Sequence, residues 1–426
     1  MPAPCIRRGF RYILQNMNNI DRKEEKKVEF LELIYDLIFV YVLGRNNSLL
    51  HNVADGFVPG PVFVAYILGS LVAIQIWMFS TYYINIFGRN KARDHVFLFI
   101  NMYLLYYIAE GTRLHWTGYV TQYYLAWALI LVNIGVQYLI ESRNRACDPA
   151  IHRLTVRMAV VLFAEALIVL TELAFHEQAG APIAAAAILL GVVGTRLASP
   201  GEKACMVDFP HLSERTMLYV VFTFGEMIIA IASYFEDGFS ASSVYFSLMA
   251  FLIVVGLFLS YGILYNRIID RELRTTGMNY MIIHIFLIFA LNDITTSLEF
   301  MRDEEVSLMP KMTFLILSLV LCYGCLMALG RYGAIHKRIK GVFIVRMAAF
   351  GAAFVALMLV FRENMYVNIA LTVCYVFLIF LMLWRLAGHL DWHKKSRTEA
   401  TPGDAVSPED PGAPDEDDQS VNRAVE

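Results

Sequence analysis

Two stretches of this chain gather the residues able to bind or pass a proton or cation. Glu29, Glu32 and Asp36 fall within about 60° of one another on a helix of 3.6 residues per turn, and Asn47 and His51, farther along the same run, return to that side. Much later, His211, Glu214, Arg215 and Glu226 share a face of about 120°, with Glu226 roughly 18 Å along the helix from Glu214. A third run carries Arg157, Glu165 and Glu172 within about 80°. A fourth places His284, Asn292, Thr295 and Glu299 on one face, with Asp293 beside it. Acid, base and cation on shared helical faces are the arrangement that perturbs proton affinity and marks functional sites.

These residues sit in elements that must cross a membrane. The chain is 58% hydrophobic and only 17% charged, with a mean hydropathy of +0.53. It contains twelve apolar runs of about twenty residues, the length needed for a hydrocarbon core of roughly 30 Å. The expected fold is an all-α polytopic membrane protein with about twelve transmembrane helices. Ionisable groups inside such spans are costly and are the first place to look for function.

The runs divide six and six, because the sequence repeats itself. His95-Val-Phe-Leu98 returns as His284-Ile-Phe-Leu287, Glu110 and Arg113 as Glu299 and Arg302, Val156-Arg-Met-Ala159 as Val345-Arg-Met-Ala348, and Arg196-Leu-Ala198 as Arg385-Leu-Ala387, each 189 positions later. Shifting the register by one sets Asp36 against Glu226. An even number of spans per repeat makes the halves parallel, related by a pseudo-twofold axis along the membrane normal, the ground plan of many secondary transporters. The expected boundaries are an N-terminal segment at 1–28, a first six-helix repeat at 29–198, a linker at 199–213, a second repeat at 214–390 and an acidic tail at 391–426.

Lysine and arginine concentrate in the N-terminal segment, the even-to-odd connections and the tail. Only Arg113, Arg302, Lys311 and Arg362 fall in the other loops. This positive-inside pattern puts both termini in the cytoplasm of a cell-membrane protein. Cys5, Cys147 and Cys205 fall on the same side and Cys322, Cys325 and Cys374 inside spans, so no disulfide is expected. The Cys322-Tyr-Gly-Cys325 spacing sits in an apolar helix and is two packed thiols. The first residues fit either a short helix on the inner membrane surface or a solvated, partly ordered segment. The Pro-, Asp- and Glu-rich tail cannot offset its ordering entropy and is expected to be disordered.

Arg157 and Arg346 are placed to pair with Glu29, Glu32 or Glu214 and close the inner ends of the bundle. Glu110 and Glu299, each three residues before an arginine, suit interfacial ion pairs with Arg113 and Arg302. Arg45 points away from the polar face of its span, either snorkelling or pairing with another helix. Asp36 and Glu226, well inside the first helix of each half, are the expected proton or cation site near the central axis. The halves have diverged in charge: Phe354 and Phe361 stand where the first half has Glu165 and Glu172, and Tyr103 and Tyr106 where the second has Asn292 and Thr295.

The stretch Val28-Glu-Phe-Leu-Glu-Leu-Ile-Tyr-Asp-Leu-Ile-Phe-Val40 resembles the opening helix of the bacterial low temperature requirement protein A family. His211-Leu-Ser-Glu-Arg215 followed by Gly225-Glu226 is similar to that family's second signature, and Trp77 with Asn85 is a third, weaker match. The resemblance covers about 28–390 and implies functional roles for Glu29, Glu32, Asp36, His211, Glu214, Arg215 and Glu226. The chain departs from the pattern on the outer half of the first span, where Gly44-Arg-Asn-Asn-Ser-Leu-Leu-His51 lacks the expected Gln and following His. It departs again at Ile86, where Arg is expected. The family name records a growth phenotype in the cold rather than a reaction.

Two functional classes follow. One is a secondary transporter or ion pathway that uses buried carboxylates to carry a small solute, an ion or protons. The other is a membrane stress, sensory or structural protein on a transporter-like scaffold, distinguished by whether Asp36 and Glu226 face a water-accessible cavity or a closed layer. An enzyme is not expected, since the sequence has no His-Glu-x-x-His, no phosphate-binding Gly-Lys loop and no Gly-x-Ser-x-Gly. Nothing implies a cofactor, a metal site or nucleic-acid binding, and the partner is the lipid bilayer.

Overall fold

In a computed structural model, residues 26–111, 120–144, 149–175, 180–198, 207–235, 238–301, 305–333 and 341–399 are described. Among them are twelve long helices and no strand: α1 (Phe30–Asn47), α2 (Gly60–Phe87), α3 (Ala92–Glu110), α4 (Val120–Asn144), α5 (Pro149–Phe175), α6 (Gly180–Ala198), α7 (Phe209–Ala230), α8 (Ala241–Ile263), α9 (Met278–Phe300), α10 (Leu308–Leu329), α11 (Gly341–Val360) and α12 (Met365–Glu399). Ten are long and apolar enough to cross a membrane. The other two, α1 and α3, carry the charges: Glu32, Asp36 and Arg45 on α1, and Arg93, Asp94 and Glu110 on α3.

Local chemistry sets the helix starts that matter for the site. At α7 the Asp208 side chain accepts from the His211 backbone N–H and Pro210 occupies the first turn, a strong N-terminal signal. The helix therefore begins before the expected boundary at 214 and takes up part of the 199–213 linker. At the far end of the chain α12 runs on to Glu399, so 391–399 is helical rather than disordered. The rest of the acidic tail and residues 1–25 lie outside the described residues, as do Arg113 and Arg302, the expected partners of Glu110 and Glu299.

Exposed side chains are largely apolar, among them Leu37, Phe99, Leu167, Leu189, Leu317 and Trp384. The interior instead holds many of the polar groups. That inversion is what a bilayer solvent requires. The chain is a multi-pass membrane protein.

The packing of the first six helices recurs in the second six. In the first half α1 packs on α2 and α3, α2 on α6, α3 on α4, α4 on α5 and α5 on α6; in the second, α7 packs on α8 and α9, α8 on α12, α9 on α10, α10 on α11 and α11 on α12. Between the halves α1 and α2 meet α7, and α9 packs on both α1 and α2. The reciprocal packing of α3 on α7 or α8 is not comparable, and Val96, Phe99, Tyr103 and Tyr106 of α3 are left exposed. One seam between the halves is thus closed by α9, and the other is open along α3. The end of the bundle where α1 begins and α2 finishes is the basic end, carrying Arg89, Lys91, Arg143, Arg153, Arg267 and Arg271.

Candidate functional site

A charged cluster crosses the interface between the halves about one to two turns inside the basic end. Arg215 of α7, with no solvent exposure, donates from Nη2 to Asp36 Oδ1 at 2.8 Å and from Nε to Asp36 Oδ2 at 3.2 Å. This two-pronged geometry is the strong form of a charge-assisted pair. Trp77 Nε1 of α2 donates to the same carboxylate at 2.7 Å, and its ring packs on Tyr219 with centroids 4.6 Å apart. Arg215 Nη1 also lies 3.1 Å from Glu32 Oε2, and His211 Nε2 lies 3.3 Å from the same oxygen. These two contacts are within ion-pair distance but are not aligned as hydrogen bonds.

Asn85 fixes the tautomer of His211. Its Oδ1 accepts from the Asp208 backbone N–H at 3.0 Å, so its Nδ2 must be the donor to Asp208 O at 2.8 Å and to His211 Nδ1 at 3.0 Å. With Nδ1 accepting, neutral His211 carries its hydrogen on Nε2, the nitrogen that lies 3.3 Å from Glu32 Oε2. Around Asp36, Tyr35 and Ser80 share a 2.7 Å hydrogen bond, and Asn101 Nδ2 donates to Tyr35 Oη at 3.4 Å. The site is held from α1, α2, α3 and α7 together.

A cavity of about 260 Å³ reaches this cluster from the basic end. Its wall includes Lys26, Glu29, Glu32, Asp94, His95 and Gln137. Glu32 is therefore the member of the cluster that meets the cavity, while Asp36, one turn deeper, is sealed. Lys26 caps the end of α2, with Nζ 2.5 Å from Ile84 O and 3.2 Å from Gly88 O. Burial pushes its ammonium below the ordinary lysine range, and the Glu32 charge opposes that shift. One guanidinium faces two carboxylates, so the cluster as a unit is short of one positive charge, and Lys26 lines the same cavity.

The fold joins two polar faces that the sequence placed on separate helices: Glu32 and Asp36 of α1 meet His211 and Arg215 of α7, Asn85 of α2 bonds His211, and Glu29 lies in the cavity wall. Glu214 points outward and is exposed, because a 120° face is too wide for all its members to reach one neighbour. Glu226 is half-buried against α1, where a side chain on Gly44 would come within 2.6 Å of its Oε1. It lies eleven residues, about 16 Å, along α7 from Arg215, so Asp36 and Glu226 do not share one site; Arg215 takes Asp36 instead. Arg157 and Arg346 are exposed rather than paired with Glu32, whose partners are Arg215 and His211. Arg45 pairs with another helix, Nη2 lying 3.6 Å from Glu110 Oε1, and Glu299 lies 3.7 Å from His51 Nε2.

The remaining intramembrane polar residues fall in three other places. Asn292 and Asp293 form a second tie between the halves near the opposite end. Asn292 exchanges hydrogen bonds with Asn47 at 2.7 and 3.1 Å and donates to Tyr66 Oη at 2.9 Å, and Tyr66 donates to Asp293 Oδ1 at 2.6 Å. His284 is a packed histidine between Tyr280 O at 2.9 Å and Tyr261 Oη at 3.3 Å. Glu165 is buried within the first half. Lys26, Tyr35, Ser80 and Tyr66 escaped sequence reasoning. Ser80 had a signal in the row of polar residues Gln75, Ser80, Thr81 and Asn85 on one apolar span.

A family model described as "Bacterial low temperature requirement A protein (LtrA)" matches residues 27–392. No curated protein and no solved structure matches the chain.

Proposed function

The chain belongs to the bacterial low temperature requirement A family, and from that premise we propose that it is a secondary transporter or ion pathway, not an enzyme, whose working groups are Glu32, Asp36, His211 and Arg215. On this reading all twelve helices span the membrane as two parallel six-helix repeats, with the basic end in the cytoplasm. The recurrence of the same six helix pairings in each half supports that arrangement, as does the 189-residue repeat.

The observation that carries the reading is a buried ionic cluster joining α1 to α7 directly behind a cavity that reaches Glu32. A proton or cation entering that cavity meets Glu32 first. Neutralising Glu32 releases one arm of Arg215 and weakens the link between halves, which is the kind of differential interaction that shifts a two-state equilibrium. In duplicated transporters, access alternates by one half rocking against the other around a fixed site.

Proteoliposomes loaded with a pH-sensitive dye and challenged with a panel of ions and metabolites test this. The expected result is a dye response to at least one solute, lost in Glu32→Gln and in Asp36→Asn while both variants retain their fold. Solute-independent silence of the wild type, together with full cellular function of both variants, would overturn it. One observation favours the alternative, a non-transporting stress or sensory protein: Asp36 and Arg215 are sealed from solvent on every side. The same experiment separates the two.

A further inference from the structure

The first half contains a second buried acid that the ionic cluster does not use. Glu165 of α5 has no solvent exposure, and neither of its carboxylate oxygens has a hydrogen-bond partner. Beside it lies Gln75 of α2, whose Nε2 donates to Ile188 O at 3.1 Å and whose Oε1 is buried and unpartnered. Both groups occupy the space that a side chain at Gly191 of α6 would fill, so the absence of a Cβ there makes room for the acid and the amide. Seven residues along α5, about 10 Å, Glu172 lines a cavity of about 220 Å³ with Leu68, Val72, Tyr124, Gly180 and Ala184, toward the end opposite the basic one.

An ionised carboxylate with no countercharge in an apolar interior is strongly disfavoured, because nothing replaces the hydration it has lost. The layer therefore needs a proton or a cation. It offers three free oxygens, two from Glu165 and one from Gln75, fewer than the six or more that hard divalent cations take. No group of His, Cys, Asp or Glu with metal-holding geometry occurs among the described residues. The ionisable groups that line the cavity one level further along are Glu172 on the same helix and Tyr123 and Tyr124 of α4; at the level of Glu165 itself, α2 and α6 contribute Gln75 and Gly191. Among the described residues no lysine, arginine or histidine pairs with Glu165.

We propose that Glu165, with Gln75 and Gly191, is a proton-binding site in the first six-helix half, exchanging its proton with the end opposite the basic one through Glu172 and the adjoining cavity. The site is built in one half only. At 189 positions on, Gln75, Glu165 and Gly191 are replaced by Leu264, Phe354 and Phe380, and Phe354 stacks on Tyr375 with centroids 4.4 Å apart. The repeat fold thus packs well without an acid at this level, so Glu165 is not there to fill space. This inference is independent of the Glu32–Arg215 cluster and survives if that cluster proves purely structural.

Infrared difference spectroscopy on the purified full-length protein tests it, because a protonated carboxyl and a carboxylate absorb in separate bands. At neutral pH the wild type should show a carboxylic-acid carbonyl band that Glu165→Gln removes and Glu32→Gln does not. On transfer to deuterated buffer the band should shift promptly, and Glu172→Gln should slow that shift by tenfold or more. Gly191→Ala, which pushes a methyl group into the layer, should displace the band. A wild type with no band assignable to Glu165 would overturn the proposal by showing the group ionised. A band that ignores both deuterium and Glu172→Gln would overturn it by showing a sealed acid.

Discussion

The halves are joined near both ends of the bundle, and the two joints differ in kind. At the basic end Arg215 holds Asp36 and Glu32 in a charged clamp. Toward the opposite end Asn47, Asn292 and Tyr66 interlock as neutral donors and acceptors, with Asp293 taking the phenol proton's bond. The Asn47–Asn292 exchange, between two amides, holds in any protonation state. A charged clamp with two acids on one guanidinium holds only while those acids keep their charges, so the basic-end joint is the conditional one.

The sharpest way to break this comparison is Arg215→Met, which strands two buried carboxylates. It should lower stability in detergent by about 3–5 kcal/mol, and adding Glu32→Gln and Asp36→Asn should restore most of it. If the triple variant melts as early as the single one, packing rather than charge holds the clamp. Trp77→Phe removes one donor to Asp36 and should cost about 1.5–3 kcal/mol, measured in the same melts. At the neutral joint Asn292→Leu should cost about 1–3 kcal/mol by leaving Asn47 and Tyr66 short of partners, whereas Asn47→Leu with Asn292→Leu should recover much of it, as matched apolar replacement of both partners does. Glu110→Gln, at a pair one-third exposed on each side, should change the melting free energy by less than about 1 kcal/mol.

The pH dependence sharpens the contrast at the mouth of the cavity. Lys26 sits below its ordinary value of 10.5 in the folded protein because it is buried. Between the two values the unfolded chain binds a proton that the folded chain releases, so stability should rise with pH across that alkaline window. Lys26→Met should flatten the slope, and a slope unchanged in the variant would assign it to another group.

Much of the charged joint was legible because Glu32, Asp36, His211 and Arg215 interrupt apolar runs at helical spacing. What spacing does not encode is which neighbouring helix a face meets. Glu214 and Glu226 share a side of α7 with Arg215, yet one is exposed and the other meets Gly44. Arg157 and Arg346 were expected as closing cations, but side chains this long reach solvent at the basic end more cheaply than they reach a buried acid. Trp77 was visible only by resemblance, and Tyr66 not at all, because aromatic residues are ordinary in spanning helices until a carboxyl is found beside them.

The clamp also has a consequence for how the protein is made. Arg215 follows Asp36 by 179 residues, which at about 5–20 residues per second is on the order of 10–40 s of synthesis. Throughout that interval α1 has emerged with Glu32 and Asp36 lacking their Arg215 partner, and charged groups in a spanning helix oppose entry into lipid. The first helix is not among the ten apolar enough to span by themselves, so the expected order of embedding differs from the order of translation: α1 should become fully embedded only once α7 supplies Arg215.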